Sequence, residues 1–232
     1  AHPAEDGEPE DREERRRQQD TEDKLPDGAP LADAREVGDG QMARFEEDGG
    51  LRWLPLVYGQ GPLTPANGFK SQADVLIETR RAADLLGATK MDRPEDVEVN
   101  PKTGTVFVML TKNHKRQETN PANTRAENHW GQIVELTAPN GDHSAERFTW
   151  DFLLLAGDPA DPKHGARYHE GVSRDGWFMA PDNCAFDNAG RLWISTDGSY
   201  RYGFADGLWA CDVTGPGRAL TRHFLRTPRE AE

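Results

Sequence analysis

Two pairs of oxygen-bearing side chains in this chain share one local setting. Glu95 and Asp96 follow Pro94 and precede the short apolar-rich run Val97-Glu98-Val99. Asp182 and Asn183 follow Pro181 and precede Cys184-Ala185-Phe186. In each copy a polar turn containing glycine comes next, then a second apolar run, Thr105-Val106-Phe107-Val108 or Arg191-Leu192-Trp193-Ile194-Ser195. Carboxylate and carboxamide oxygens are hard donors that suit Ca²⁺ and similar cations. Acids brought together repel one another, and a cation is the natural compensation. A proline followed by an acid is also ordinary turn chemistry before a strand, and a single copy would say no more than that. Two equivalent copies favour cation binding.

Arg125 and Glu127 form a second candidate pair, within Asn120-Pro121-Ala122-Asn123-Thr124-Arg125-Ala126-Glu127-Asn128. That stretch has no hydrophobic periodicity and reads as loop. Two residues apart in an extended segment, both side chains point to one face. An arginine beside a cation-binding glutamate could clamp an anionic substrate with two parallel hydrogen bonds while the metal polarises it. The plainer reading is a surface ion pair of little energetic weight. Spacing alone does not choose between them. His114, His129, His143 and His164 lack ligand spacing, and HExxH, GxSxG, P-loop and CxxC motifs are absent. Cys184 and Cys211 fall in strand-like runs and read as small buried hydrophobes. Two cysteines are too few for a disulfide scaffold.

The elements that must position these residues are hairpins. Each Pro-acid hairpin is followed by another, residues 131–156 around Pro139-Asn140-Gly141-Asp142 and residues 207–226 around Thr214-Gly215-Pro216-Gly217. The unit is therefore four antiparallel strands, repeated, as in a propeller blade. The innermost strand of a blade runs along the axis, so residues at its start converge on the axis mouth. A third hairpin, residues 41–57, reads as the outer half of a preceding blade. Ser71 can cap one helix over residues 71–86, with Val75, Leu76, Ala82, Ala83, Leu85 and Leu86 as its stripe and Gly87 as its stop. The six tryptophans are expected to pack between blades. Closed propellers need about 4–8 blades, so these residues read as an open section of a larger ring.

Among 232 residues, 41 Asp and Glu face 28 Lys and Arg, a formal net charge of -13. That balance argues against a protein whose main task is gripping a nucleic-acid backbone. No run of about 18 apolar residues exists to span a membrane, and no signal peptide is present. Residues 1–36 hold 13 acids and 6 bases, a net of -7, which leaves -6 for the rest. With so little apolar surface this segment reads as an acidic low-complexity stretch, disordered or inserted, and residues 37–232 as the folded part. The cluster Arg12, Arg15, Arg16, Arg17 is interleaved with acids and reads as a solvated segment rather than a nucleic-acid patch.

Several segments, in order, resemble the PhoX family of bacterial alkaline phosphatases. They are Trp53-Leu54-Pro55-Leu56-Val57-Tyr58-Gly59, Arg93-Pro94-Glu95-Asp96-Val97-Glu98, the 120–128 loop, Ala156-Gly157-Asp158-Pro159, and Pro181-Asp182-Asn183-Cys184-Ala185-Phe186-Asp187 with Gly190-Arg191-Leu192-Trp193 and Thr196-Asp197-Gly198. The resemblance starts near Gly38. It implies an all-β fold, part of a six-bladed propeller of which about two and a half four-stranded blades and one inserted helix lie here. It implies a Ca²⁺ and Fe³⁺ cluster at the axis, hydrolysis of phosphate monoesters, and export to the periplasm by the twin-arginine route. By motif position Glu95, Glu127 and Asp182 or Asn183 would be metal ligands, and Arg125 would hold a phosphate oxygen. The family's upstream Cys-Glu segment has no counterpart here, and neither Cys184 nor Cys211 matches it. The expectation is thus a phosphatase as the full-length protein, with these 232 residues alone inactive. A calcium-dependent lactonase or esterase and a non-catalytic calcium-stabilised binding propeller are the alternatives. The sequence leaves the oligomeric state open.

Overall fold

The computed structural model describes residues 40–227, so the acidic segment 1–36 lies outside the described residues. Ten strands form two antiparallel sheets. The first holds β1 (Gln41–Phe45), β2 (Gly50–Pro55), β3 (Pro94–Val99), β4 (Val106–Leu110), β5 (Gln132–Thr137) and β6 (Arg147–Leu155), in the order β1-β2-β6-β5-β4-β3. The second holds β7 (Pro181–Phe186), β8 (Leu192–Thr196), β9 (Gly207–Asp212) and β10 (Leu220–Arg226), in the order β10-β9-β8-β7. The strand sets β3–β6 and β7–β10 are the two blades that the repeats announce, with β3 and β7 innermost. This is a partial propeller.

The β1–β2 hairpin sits differently from its expected place. It does not begin a separate blade, because Leu51 of β2 pairs with Phe148 of β6 and extends the first blade outward. The physical reason is the outer edge of β6. β5 covers one edge of β6, and the backbone groups on the opposite edge at Arg147–Thr149 are satisfied by β2. The helical stretch also divides in two, α1 (Gln72–Ile77) and α2 (Thr79–Leu86), at the non-helical Glu78. The Ser71 side chain accepts from the Asp74 N–H, and Gly87 closes α2 in the left-handed region at φ 72°. Val75 and Ala82 bury into a small core with Leu56, Leu63 and Phe69. Among the described residues, no helix is long and apolar enough to cross a membrane.

The blades meet through an apolar cluster drawn from both sheets. Phe107, Met109, Ile133 and Leu154 of the first pack with Cys184, Leu192, Ile194 and Trp209 of the second. Trp209 is the tryptophan of this seam. Trp53 and Trp150 instead pack on the other face of the first sheet, against Phe148 and Phe45. Polar ties reinforce the seam along its length. Lys102 Nζ donates to the Ala189 carbonyl at 2.7 Å, joining the two inner turns. Arg218 Nη2 donates to Glu135 Oε1 at 2.7 Å, joining the outer parts.

Candidate functional site

Both inner strands begin the same way in space. Arg93 and Ala180, the residues before Pro94 and Pro181, lie in the left-handed region at φ 49° and 54°. A residue before proline ordinarily takes an extended conformation, and a side chain at positive φ costs about 1–3 kcal/mol. Immediately afterwards the pairing register slips, between Pro94 and Val97 in one blade and between Pro181 and Cys184 in the other. The bulges free Glu95-Asp96 and Asp182-Asn183 from the regular ladder, and bulges are a usual means of re-aiming side chains. Glu127, on the loop between β4 and β5, also has left-handed backbone, at φ 45°.

Asp96 is spoken for. Its Oδ2 accepts the Cys184 N–H at 2.8 Å, across the seam, and its Oδ1 accepts the Val97 N–H. Glu95 pairs with the exposed Arg93 guanidinium at 2.7 Å. Asp182 is raised above the ordinary carboxylate range, first by partial burial, then by the negative charges of Glu95 and Asp197, with Arg93 opposing. Asp197 joins this group from the loop after β8, and sequence reasoning gave it no role. Its one signal was the Thr196-Asp197-Gly198 triad. Asn183 is exposed at the adjacent position of the same bulge.

Lys112 was missed altogether. Its side chain is buried, and Nζ donates to the Asp197 carbonyl at 2.9 Å. Burial, then the charge of Arg93, lowers its pKa. Gly198 sits under the ammonium: a Cβ built there would come 2.8 Å from Lys112 Nζ, at a backbone φ of 78°. Gly131 is constrained more severely, because a Cβ there would lie 2.1 Å from the Thr111 carbonyl and 2.7 Å from Pro181 Cδ. Only a glycine lets the chain pass between the starts of β5 and β7. His114 and His129 stack on one another beside Tyr202 on the same loops.

Arg125 is engaged by main chain in this structure. Its Nη1 donates to the Ala156 carbonyl at 2.7 Å and the His164 carbonyl at 2.9 Å, and Nη2 donates to the Gly131 carbonyl. Here the guanidinium is a main-chain clamp, because the start of β5, the end of β6 and the 162–164 turn converge three acceptors on it. Burial holds its pKa down to about 10. Arg125 and Glu127 also do not share a face as an extended segment would require. The left-handed backbone at Glu127 breaks the alternation, and its exposed carboxylate accepts from Gln117 Nε2 at 3.3 Å. The asparagines of this loop build its shape. Asn123 Oδ1 accepts from the Asp92 N–H, Asn128 Oδ1 accepts from the Gly131 N–H, and Asn128 Nδ2 reaches the buried Asp92, which Arg116 neutralises at 2.5 Å.

The negative charges of Glu95 and Asp197 both disfavour the charged form of Asp182, and a cation would relieve that repulsion. Ca²⁺ takes 6–8 oxygens, so these residues fit one wall of a cation site. Among the described residues, no group of three or more His, Cys, Asp and Glu side chains is arranged to hold a metal by itself.

The sequence model of the family described as alkaline phosphatase PhoX matches residues 16–232. The match begins inside the acidic segment, upstream of Gly38. A solved structure, Pseudomonas fluorescens PhoX in complex with vanadate, a transition state analogue, is similar with a TM-score of 0.71 and 34% identity. The likeness covers 82% of this chain and 36% of that one, so the chain spans about a third of the length of the protein it matches. No curated protein matches. Neither the lactonase nor the binding-propeller alternative gains support from these likenesses.

Proposed function

The chain belongs to the PhoX family of alkaline phosphatases, and we propose on that basis that its protein hydrolyses phosphate monoesters at the mouth of the propeller axis. The observation that carries the reading is the pair of matching strained bulges, where Asp182 feels the charge of Glu95, in a chain 34% identical to a phosphatase solved with a transition state analogue.

In this reading Glu95, Asp182 and Asp197 contribute carboxylate oxygens to bound cations, Asn183 is the neighbouring donor on the same bulge, and Glu127 is a further ligand by motif position. Ca²⁺ and Fe³⁺ are the cations proposed, and when bound they would supply positive charge to the phosphoryl oxygens. Arg93 is the exposed guanidinium beside these carboxylates, free to exchange its Glu95 contact for a phosphate oxygen. Lys112 holds the Asp197 main chain in place. Arg125 remains proposed, by motif position, to hold a phosphate oxygen, which it would do by exchanging carbonyl partners, and its main-chain bonds fix the loop that carries Glu127. Periplasmic export belongs to the proposal and rests on the family alone.

A substrate panel on the intact, metal-replete protein tests the reading. Turnover of p-nitrophenyl phosphate with none of simple lactones is expected. Lactone turnover without phosphatase activity would overturn it.

A further inference from the structure

A cavity of about 910 Å³ opens beside the candidate site, and no role is yet attached to it. Its lining comes from the loop between β6 and β7, the loop between β8 and β9, the start of β9 and the end of β10. In this antiparallel sheet those segments all lie at the end where β7 begins, the end that carries Asp182. The link to the carboxylates is short. Met179, in the wall, is three residues from Asp182, and Ser199 is two residues from Asp197. At no more than about 3.6 Å per residue, those separations are at most about 11 and 7 Å.

The walls are aromatic. Trp177 and Phe204 meet edge to face at 5.1 Å, both half-buried, and Phe178 and Trp209 pack at 5.5 Å behind them. Arg226 stands at the rim, its guanidinium 6.0 Å over the Trp209 ring and tied to the Asp175 carbonyl. Volumes of this order hold small organic ligands, and the half-buried Trp177 and Phe204 offer aromatic surface against which a planar ring can pack.

We infer that this cavity receives the organic group of the phosphate ester, and that it selects esters whose leaving group carries a planar ring, aryl or nucleoside. The inference rests on the phosphatase reading for the position of the phosphoryl group. Binding energy gathered in the cavity, away from the reacting phosphorus, would orient the ester bond at the carboxylates.

The test uses the intact metal-replete protein and its Trp177→Ala, Trp177→Phe and Phe204→Ala variants. The kcat/KM of p-nitrophenyl phosphate and of adenosine 5′-monophosphate is compared with that of glycerol 2-phosphate. Alanine substitution at a stacking aromatic should lower the ring-to-glycerol ratio about 10-fold or more, and Trp177→Phe should restore most of it. Equal losses for ring and glycerol esters would overturn the inference while leaving phosphatase activity standing. If no ester is turned over, the phosphatase reading fails instead, and titration calorimetry with adenosine decides the cavity separately. Saturable binding weakened by Trp177→Ala supports the ring site, and no binding overturns it. Filling of the cavity by chain that follows Thr227 would appear as indifference of every ratio to these variants, which also overturns it.

Discussion

Gly198→Ala tests the tie that crosses the seam at the candidate site. Two separate costs arise there. The backbone at φ 78° suits glycine, and an alanine in that region costs about 1–2 kcal/mol. The new Cβ would also stand 2.8 Å from Lys112 Nζ, closer than such atoms approach, so the ammonium must leave. Leaving breaks its 2.9 Å hydrogen bond to the Asp197 carbonyl, worth about 1.5–3 kcal/mol for a charged donor. The single variant should therefore lose about 2.5–5 kcal/mol. The partner variant is Lys112→Met, whose terminal methyl would take the position of Lys112 Cε, 4.0 Å from that Cβ and in ordinary contact. In the Lys112→Met background, Gly198→Ala should cost only the backbone part. A double-mutant cycle by denaturant unfolding of the intact protein, with cations held constant, should give a coupling of about 1.5–3 kcal/mol. Additivity within about 0.5 kcal/mol would refute the geometry, because it would mean that the ammonium does not lie over Gly198.

Other outcomes follow from the same contacts. Arg125→Ala leaves the Ala156 and His164 carbonyls without their donor, while Gly131 keeps the Ala156 N–H, and it should destabilise the intact protein by several kcal/mol, at about 1–3 kcal/mol per orphaned group, so its melting temperature should fall together with any activity. An Arg125→Ala protein of unchanged melting temperature would contradict the clamp. Asp182 titrates above its ordinary range, so its charged form is the disfavoured one in the fold. Stability present at acid pH is lost as pH rises through that raised value. In chelator, Asp182→Asn should therefore raise the melting temperature at neutral pH and not at acid pH, and it should shrink the gain produced by adding Ca²⁺. Burial pushes the Cys184 thiol up to about 12 and raises Cys211 as well. A thiol reagent at mildly alkaline pH should label neither until the protein is unfolded, as counted by absorbance.

The repeated hairpins were legible because their signals are local. Alternating apolar residues, glycine turns and the recurring Pro-acid step all act within a dozen residues. The place of the β1–β2 hairpin was not, because it depends on β6, nearly a hundred residues downstream. Nor were the left-handed Arg93 and Ala180, since residues before proline ordinarily read as extended. Those two backbone reversals immediately precede the bulges that carry Glu95 and Asp182. Lys112 gave no signal as a loop lysine in a charged stretch, and its meaning appears only when Gly198 is brought beneath it. Arg125 shows the converse. Its spacing left an anion clamp and a surface ion pair open, and two of the three carbonyls it meets come from segments thirty and more residues away.

The most direct measurement is metal-dependent turnover at the paired bulges. The intact protein and its Asp182→Asn variant would be assayed on p-nitrophenyl phosphate, with metal content determined on the same samples. The account predicts hydrolysis by the parent, its loss in chelator and return with cations, and lower metal content and rate in the variant. A metal-replete parent that leaves phosphate monoesters intact, or a variant matching it in both metal and rate, would contradict the account.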